Sequence, residues 1–454
     1  MPSTSNTSRG TGLVRLFGYG AGGLASTLAT IPASMLLLYF LTEFVHLEPW
    51  LAGLVLALPK LWDVVVDMPI GRYADQFAQR AHGRLRVGMW SALALVVFLP
   101  LSFYHPALAS TPLLATYYVV VQILQATAYT LFGVTYLALA GDLAVDAAER
   151  NRLLTVYTFG SNLAAIALIL CVPFMIRIGG SGEQGYFSMN VMVALIMALM
   201  FIWFYGAVRN TPAQSTELSE VRVEMPLHKG IAAILHNRAF LAIIVVTIAV
   251  GTGTGALNAL LPYENQYLLG RPAEALFLLI GPILVGTFAG LPLASPMLRR
   301  FNSTRTLRIS LLGLTILSIL YWFGLLYDSI PLIVVSGTLC GIFNAILNVS
   351  MPAAALDTAQ SVEGPSLGLY LGMFMSAQKL GLSLGGVVSG GLLSLINYHA
   401  DAPVSPALRH GIAFAGLVGP LAPFVIAWLA SLIYGAYTPE SAANHQIAPS
   451  ADTI

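Results

Sequence analysis

Apolar runs of about 20 residues recur along this chain between short polar breaks, and that is the length of helix that crosses a bilayer. Only 9% of the 454 residues are charged, against about 25% in a typical soluble domain. Such a chain cannot cover its apolar surface with polar groups, so we predict an all-α integral membrane protein. The twelve candidate spans are 13–42, 50–72, 86–104, 113–140, 153–177, 187–208, 238–262, 273–298, 306–327, 330–356, 365–396 and 410–437.

The basic residues orient these spans. With the N-terminus inside, 16 of the 21 Lys and Arg residues fall in inside segments. Arg177, Arg271 and Arg409 fall outside, and Lys60 and Lys379 fall within spans. Because basic residues concentrate in cytoplasmic loops, we expect both termini to be cytoplasmic, in a plasma membrane or a bacterial inner membrane.

The longest polar break, TPAQSTELSEVRVEMPLHKG, divides the spans into two sets of six. We therefore predict an N-terminal six-helix bundle at 1–210, a cytoplasmic middle loop at 211–237, a C-terminal six-helix bundle at 238–440 and a cytoplasmic tail at 441–454. Two six-helix bundles joined by a polar loop resemble the plan of the major facilitator transporters.

The stretch KLWDVVVDMPIGRYAD, residues 60–75, carries charges into the second span. On an α-helix, Lys60, Asp63, Asp67 and Gly71 share one face within roughly 80°. A charge at mid-span costs about 2.5–3.5 kcal/mol on insertion scales, so the two carboxylates must face a cavity, an ion or an opposite charge. Lys379, the only charge in span eleven, is the expected distant partner. Such a cluster can bind and release a proton or a small cation; the alternative is a fixed salt bridge between the halves.

The next segment is a short inner loop with one acid and several arginines. Gly71, Asp75, Arg80 and Arg84 resemble the loop between the second and third helices of major facilitators, where the glycine lets the helices close and the charges form a cytoplasmic latch. The alternative is an ordinary basic inner loop.

Polar residues inside spans are the candidates for a substrate pocket. Each also has a simpler interpretation as a hydrogen bond between helices. No histidine spacing indicates a metal site and no P-loop occurs, so neither an enzyme nor ATP-driven transport is expected. A net charge of +1 gives no indication of nucleic-acid binding. The pocket candidates are Gln125, Tyr129, Asn258, Asn344, Asn348 and Gln378.

The second-span motif resembles that of the glycoside–pentoside–hexuronide:cation symporters, in which a basic residue precedes x-W-D and a second Asp follows four residues later. The similarity extends to FGYGAGG at 17–23 and to YTLFGVTYLALAGDLAVDAAERNRLLTVYTFG at 129–160. The resemblance implies that Asp63 and Asp67 are cation-coupling carboxylates, with Lys60 in the place of the usual arginine. It implies a nearby hydroxyl from Thr130 in helix four and a charge partner, Lys379, in helix eleven.

The chain departs from this family at several site positions. Val66 stands where the family has an Asn, which removes an oxygen ligand that sodium needs and favours the proton as the coupling ion. The positions of the sugar-binding charged residues hold Ala25, Gly133 and Thr158. The substrate is therefore expected to be less hydroxylated than a typical sugar, or to find its polar contacts elsewhere.

We therefore expect a secondary transporter that moves a small organic solute by alternating access, with a proton or sodium ion as the coupling ion and no other cofactor. We expect a monomer whose partners are the substrate and membrane lipid. The alternatives are a transporter of a lipid-like or amphiphilic compound, a proton antiporter, and a non-transporting sensor or assembly protein with the same fold.

Overall fold

The computed structural model describes residues 5–78, 83–108, 110–143, 147–209, 236–271, 275–360, 367–400 and 405–436. Within these ranges the backbone alone is described at 5–13, 67–78, 84, 138, 141–142, 147–148, 150–151, 169, 359–360, 367–369, 371 and 435–436. The chain forms two compact units. The first contains residues 1–220 and 398–402, and the second contains the others.

The first unit is a bundle of long helices. Apolar residues dominate every one of them, so each can satisfy its backbone hydrogen bonds internally while its side chains meet lipid or neighbouring helices. The first helix packs against the sixth and the seventh, and the third and fourth both pack against the fifth. The helices are α1 Ser5–Leu28, α2 Ile31–Glu43, α3 Pro49–Ala78, α4 Gly83–Leu101, α5 Thr111–Leu143, α6 Ala147–Ile178 and α7 Gly182–Val208.

Stacked aromatic side chains form the centre of this unit. The rings of Tyr19 and Tyr136 stack with their centroids 4.5 Å apart. The Tyr19 hydroxyl donates to the Tyr136 carbonyl at 2.9 Å, and the Tyr136 hydroxyl donates to the Tyr19 carbonyl. Phe132 stacks on the other side of Tyr136, and Phe204 meets both tyrosines edge-on. A stacked pair contributes about 0.5–1.5 kcal/mol beyond its buried area, so this cluster fixes α1 against α5 and α7.

The predicted first span is two helices rather than one. The break lies at Ala29 and Thr30, and Pro32 occupies the first turn of α2. Because proline has no N–H and disfavours helical conformation in the residue before it, the break directly before Ile31–Pro32 follows from the sequence.

The second unit contains the other helices. Helix α8 spans Arg238–Tyr263 and runs directly into a π-helical turn at Glu264–Leu268. The ninth helix packs extensively on the tenth, and α8 packs on the eleventh and twelfth. The helices that follow the π-helical turn are α9 Leu276–Leu326, α10 Ile330–Gln360, α11 Leu367–Leu395 and α12 Pro406–Ala436.

Glycines bring α8 and α11 into backbone contact. A Cβ atom on Gly251 would lie 2.9 Å from the Gly381 Cα, and one on Gly385 would lie 2.6 Å from the Gly255 Cα. Both distances are too short for a real side chain, so only glycine fits at these positions. Small residues at a membrane-helix interface allow this close approach and the dispersion contacts that come with it. We call these four glycines the glycine seam.

Apart from the broken first span, the predicted spans coincide with these helices, with one further correction. We expected a loop between spans eight and nine, but α9 runs for 51 residues with a single non-helical residue, Asn302, at φ 59°. The Asn302 side-chain oxygen accepts the Arg305 N–H at 3.0 Å and so caps the second half of α9. This residue tolerates a positive φ better than most, and a one-residue kink therefore replaces the expected loop.

Length and hydropathy alone identify eight membrane-spanning helices among the described residues, or nine when the bent α6 is counted as one span. This number takes α9 once although it holds two of the predicted spans. It includes neither α11 nor the apolar part of α4, Leu85–Leu101, which is shorter than a membrane span. The structure is therefore consistent with twelve spans, and the chain is a multi-pass membrane protein.

Candidate functional site

Asp63 lies on α3 and is the clearest charged feature of the first unit. Only 2% of its surface is exposed. The Lys60 ammonium lies 3.6 Å from Asp63 Oδ2, on the same face one turn earlier, and 39% of the Lys60 side chain is exposed. The predicted common face of Lys60 and Asp63 is thus present. The lysine reduces the cost of the buried carboxylate, and its own exposed position keeps that contact easy to exchange.

Helix α5 packs against α3 and carries two of the predicted site residues, Tyr129 and Thr130. The Trp62 indole N–H donates to the Thr127 hydroxyl at 2.9 Å and joins α3 to α5 beside Asp63. Tyr129 lies within electrostatic range of Asp63, and Thr130, the next residue along α5, is buried. The arrangement therefore places hydroxyl groups and one carboxylate on two packed helices.

The remaining predicted charges on this segment are described less fully. Helix α3 continues to Ala78, so Asp67, Gly71 and Asp75 lie on the same helix as Asp63. Their side chains, and that of Arg84 at the start of α4, lie outside the described part of the structure, as does the whole of Arg80. The cytoplasmic latch therefore stays a prediction.

Gln125, predicted as a pocket residue, makes hydrogen bonds between helices. Its amide nitrogen donates to the Ala29 carbonyl at 2.8 Å, and its amide oxygen accepts from the Ser102 hydroxyl at 2.6 Å. Ala29 lies at the break between α1 and α2. Gln125 thus supplies a donor from α5 to a carbonyl at the interrupted first span, where a helix end leaves carbonyls without helical partners.

An ion pair that the sequence analysis missed joins α1 to α6. The Arg15 guanidinium pairs with the Glu149 carboxylate, and both side chains are about three-quarters buried. Glu149 lies in the stretch 129–160 that carries the family resemblance, but nothing in the spacing of the sequence identifies Arg15 as its partner.

The candidate polar residues of the second unit lie on three helices. Lys379 and Gln378 are half-buried on α11, and Asn258 is half-buried on α8, across the glycine seam. Asn344 and Asn348 lie one turn apart on α10, and the Asn348 amide donates to the Asn344 side-chain oxygen at 2.8 Å. Asn348 is exposed, although it lies within a membrane span, so its amide needs water or a polar ligand there.

Glu264 is a buried carboxylate that the sequence analysis missed. It is 3% exposed and opens the π-helical turn after α8. The predicted span seven ends at residue 262, so Glu264 lies two residues beyond it. The available signal was the apolar continuation YLL at 267–269, directly after the polar ENQ sequence.

The two helical units and the buried charge in the second span define a membrane transporter of the major facilitator class. The profile of the family described as MFS/sugar transport protein matches residues 18–435. Because this match covers nearly the whole chain, the chain belongs to that family. Its members are membrane transporters and not enzymes.

Curated relatives agree with this assignment. The chain is 26% identical over 398 residues to the putative glycoside/cation symporter YagG of Escherichia coli (strain K12), covering 86% of this chain and 84% of the relative. It is 25% identical over 432 residues to the glucuronide carrier protein homolog of the same organism, covering 91% of each. These relatives confirm the family that the second-span motif predicted.

Solved structures show the same fold. The crystal structure of the nucleoside transporter NupG superimposes with a TM-score of 0.66 and 14% identity, covering 93% of this chain and 99% of that structure. At this identity the match supports the fold, and it carries no information on the substrate.

Proposed function

We propose that the chain is a cation-coupled symporter of a small glycoside-like solute, with Asp63 and Asp67 as the coupling carboxylates. The observation that carries the proposal is the burial of Asp63 in a membrane helix, with the partly exposed ammonium of Lys60 at 3.6 Å. A buried carboxylate that pairs with such a lysine can exchange it for an incoming proton or ion at a small cost in free energy.

The proton is the favoured coupling ion in this proposal. A proton needs one carboxylate, whereas sodium needs several oxygen ligands. Val66 contributes none at the position where the resembling symporters carry an Asn. The names of the relatives, a glycoside/cation symporter and a glucuronide carrier homolog, support cation coupling and a glycoside or uronide as substrate.

In the proposed cycle, Asp63 and Asp67 take up the proton and the solute binds at the polar residues of the spans. Tyr129 lies within electrostatic range of Asp63, and the family resemblance implies that Thr130 supplies a hydroxyl group and Lys379 a second cation. The predicted cytoplasmic latch, between Gly71 and Arg84, closes the cytoplasmic side of the transporter in this cycle. The positive-inside distribution of Lys and Arg supports cytoplasmic termini in a bacterial inner membrane.

A less polar substrate is the second candidate, and Gly133 favours it. This residue lies where the resembling symporters have a sugar-binding acid, and a Cβ atom at Gly133 would meet nothing within 4 Å. The acid is thus replaced by open space, which fits an apolar aglycone or alkyl chain better than an additional hydroxyl group.

Uptake into proteoliposomes tests the proposal. We expect an inward proton gradient to drive accumulation of a phenyl glucuronide or a methyl glycoside, and a sodium gradient of equal size to drive none. Asp63→Asn and Asp67→Asn should each abolish accumulation. Asp328→Asn, which changes an aspartate with 57% of its side chain exposed, should leave it unchanged.

Two results would overturn the proposed coupling. Accumulation that survives in both aspartate variants would make the carboxylates structural, and accumulation driven by sodium alone would reject the proton. Preference for a long-chain alkyl glucoside over the methyl glycoside would support the less polar substrate.

A further inference from the structure

Glu264 begins the π-helical turn at the end of α8. It is 3% exposed and is the only buried glutamate among the side chains that the structure describes. The turn has the i→i+5 pattern of a π-helix, since the Leu269 N–H donates to the Glu264 carbonyl at 3.2 Å. Single π-helical turns are uncommon and occur frequently at functional sites.

The carboxyl group lies against the backbone of α12. A Cβ atom on Gly416 would collide with Glu264 Oε1, so the absence of a side chain at Gly416 makes the space that the carboxyl group occupies. Helices α8, α9 and α12 pack against the turn. Tyr321 of α9 lies within electrostatic range of Glu264, but its hydroxyl donates to the Leu279 carbonyl at 3.1 Å.

The two arginines closest to the turn in the structure and in the sequence, Arg409 and Arg271, are bound to other groups. The Arg409 guanidinium, at the start of α12, donates to the Leu268 carbonyl at 2.8 Å. The Arg271 guanidinium pairs with Asp328 at 2.5 Å, and His410 is exposed. Across the residues that the structure describes, no hydrogen bond or ion pair reaches the Glu264 carboxyl group. Asp63 in the first unit, by contrast, has Lys60 beside it.

An ionised carboxylate in this enclosure would cost several kcal/mol, because no cation or hydrogen-bond donor among the described residues compensates the charge. We propose that Glu264 is a proton-binding site of the second unit, separate from Asp63 and Asp67. It holds its proton in the conformation described here. It releases the proton to water as the carboxylate forms, when the π-helical turn and α12 separate.

Infrared spectroscopy of the purified full-length protein tests this site without any substrate. The protein is prepared in dodecyl maltoside, which has no ester carbonyl, with and without ¹³C-labelled glutamate. We expect a protonated-carboxyl band at neutral pH that shifts on glutamate labelling. The band should disappear in Glu264→Gln and persist in Glu48→Gln, which changes an exposed glutamate.

A labelled protein that shows no such band, or a band that survives in Glu264→Gln, would overturn the proposal. If Glu264→Gln does not fold, the labelled wild-type protein decides. As the pH is raised, a band that disappears at the pH at which exposed carboxyl groups lose their protons would reject the site. A band that persists well above that pH would support it. Glutamate labelling does not detect Asp63, so failure of this test leaves the proposed coupling site unaffected.

Discussion

The first span of each unit departs from a regular α-helix, and the two departures differ in chemistry. In the first unit, the break at Ala29 is bridged by Gln125, a neutral amide that uses both its donor and its acceptor on protein groups. In the second unit, α8 ends in a π-helical turn that begins with the carboxyl group of Glu264. In the first unit, hydrogen bonds from Gln125 bridge the break. In the second unit, the π-helical turn contains a carboxyl group, which can exchange a proton.

The buried carboxylates show the same contrast. Asp63 lies beside a lysine at 3.6 Å, while Glu264 lies beside the backbone of Gly416. A paired carboxylate can change its partner, but an enclosed one can change only its protonation. The comparison suggests that the two units handle protons in different ways, and three substitutions test it.

The largest effect is expected for Gly416→Ala. The added methyl group would collide with the Glu264 carboxyl group and should lower stability by up to about 3 kcal/mol, the upper end of the usual cost of overpacking. Thermal unfolding in detergent, followed by circular dichroism, measures this loss. Gly372→Ala is the matched control, because a Cβ atom there meets nothing within 4 Å.

A double variant makes that test specific. Combining Gly416→Ala with Glu264→Ala removes the carboxyl group that causes the collision. The double variant should therefore lose less stability than the sum of the losses in the two single variants. Strict additivity would show that the carboxyl group does not occupy the space beside Gly416, and the contrast between the two buried acids would then be lost.

An intermediate effect is expected for Gln125→Met, which keeps the length of the side chain. It leaves the Ala29 carbonyl and the Ser102 hydroxyl without their partner and should cost about 1–2 kcal/mol. The same unfolding experiment with the exposed Gln184→Met provides the control. If the two variants are equally stable, the hydrogen bonds of Gln125 do not stabilise the break in the first span.

The smallest effect is expected for Lys60→Met. This change removes an ammonium group whose side chain is 39% exposed, so the loss of stability should stay below about 1 kcal/mol because partly exposed ion pairs contribute little. Lys60→Arg should match the wild type. A loss of several kcal/mol would show that Asp63 depends on Lys60 alone and that its partner cannot be exchanged.

Local patterns in the sequence predicted much of this structure. The apolar runs located the helices, and the three-residue spacing of Lys60 and Asp63 placed them on one face, because both features depend on the geometry of a single helix. The family followed from the same stretch, since the motif lies within one span.

Features that depend on distant contacts were not predictable in the same way. Gln125 bonds to a residue 96 positions away, so its interhelical role could not be separated from a role in the pocket. Asn302 replaced an expected loop by a single capped residue. Glu264 lies two residues beyond the end of predicted span seven, and only the packing of α12 shows that the carboxyl group is enclosed.

The glycine seam has a mechanical consequence. Where the backbones of Gly251 and Gly381 face each other, no flexible side chain lies between the helices to deform or to change rotamer. We therefore expect α8 and α11 to move as one rigid pair. Asn258 on α8 and Lys379 on α11 would then keep a fixed spacing in any such motion, and a ligand bound at either residue would move both helices.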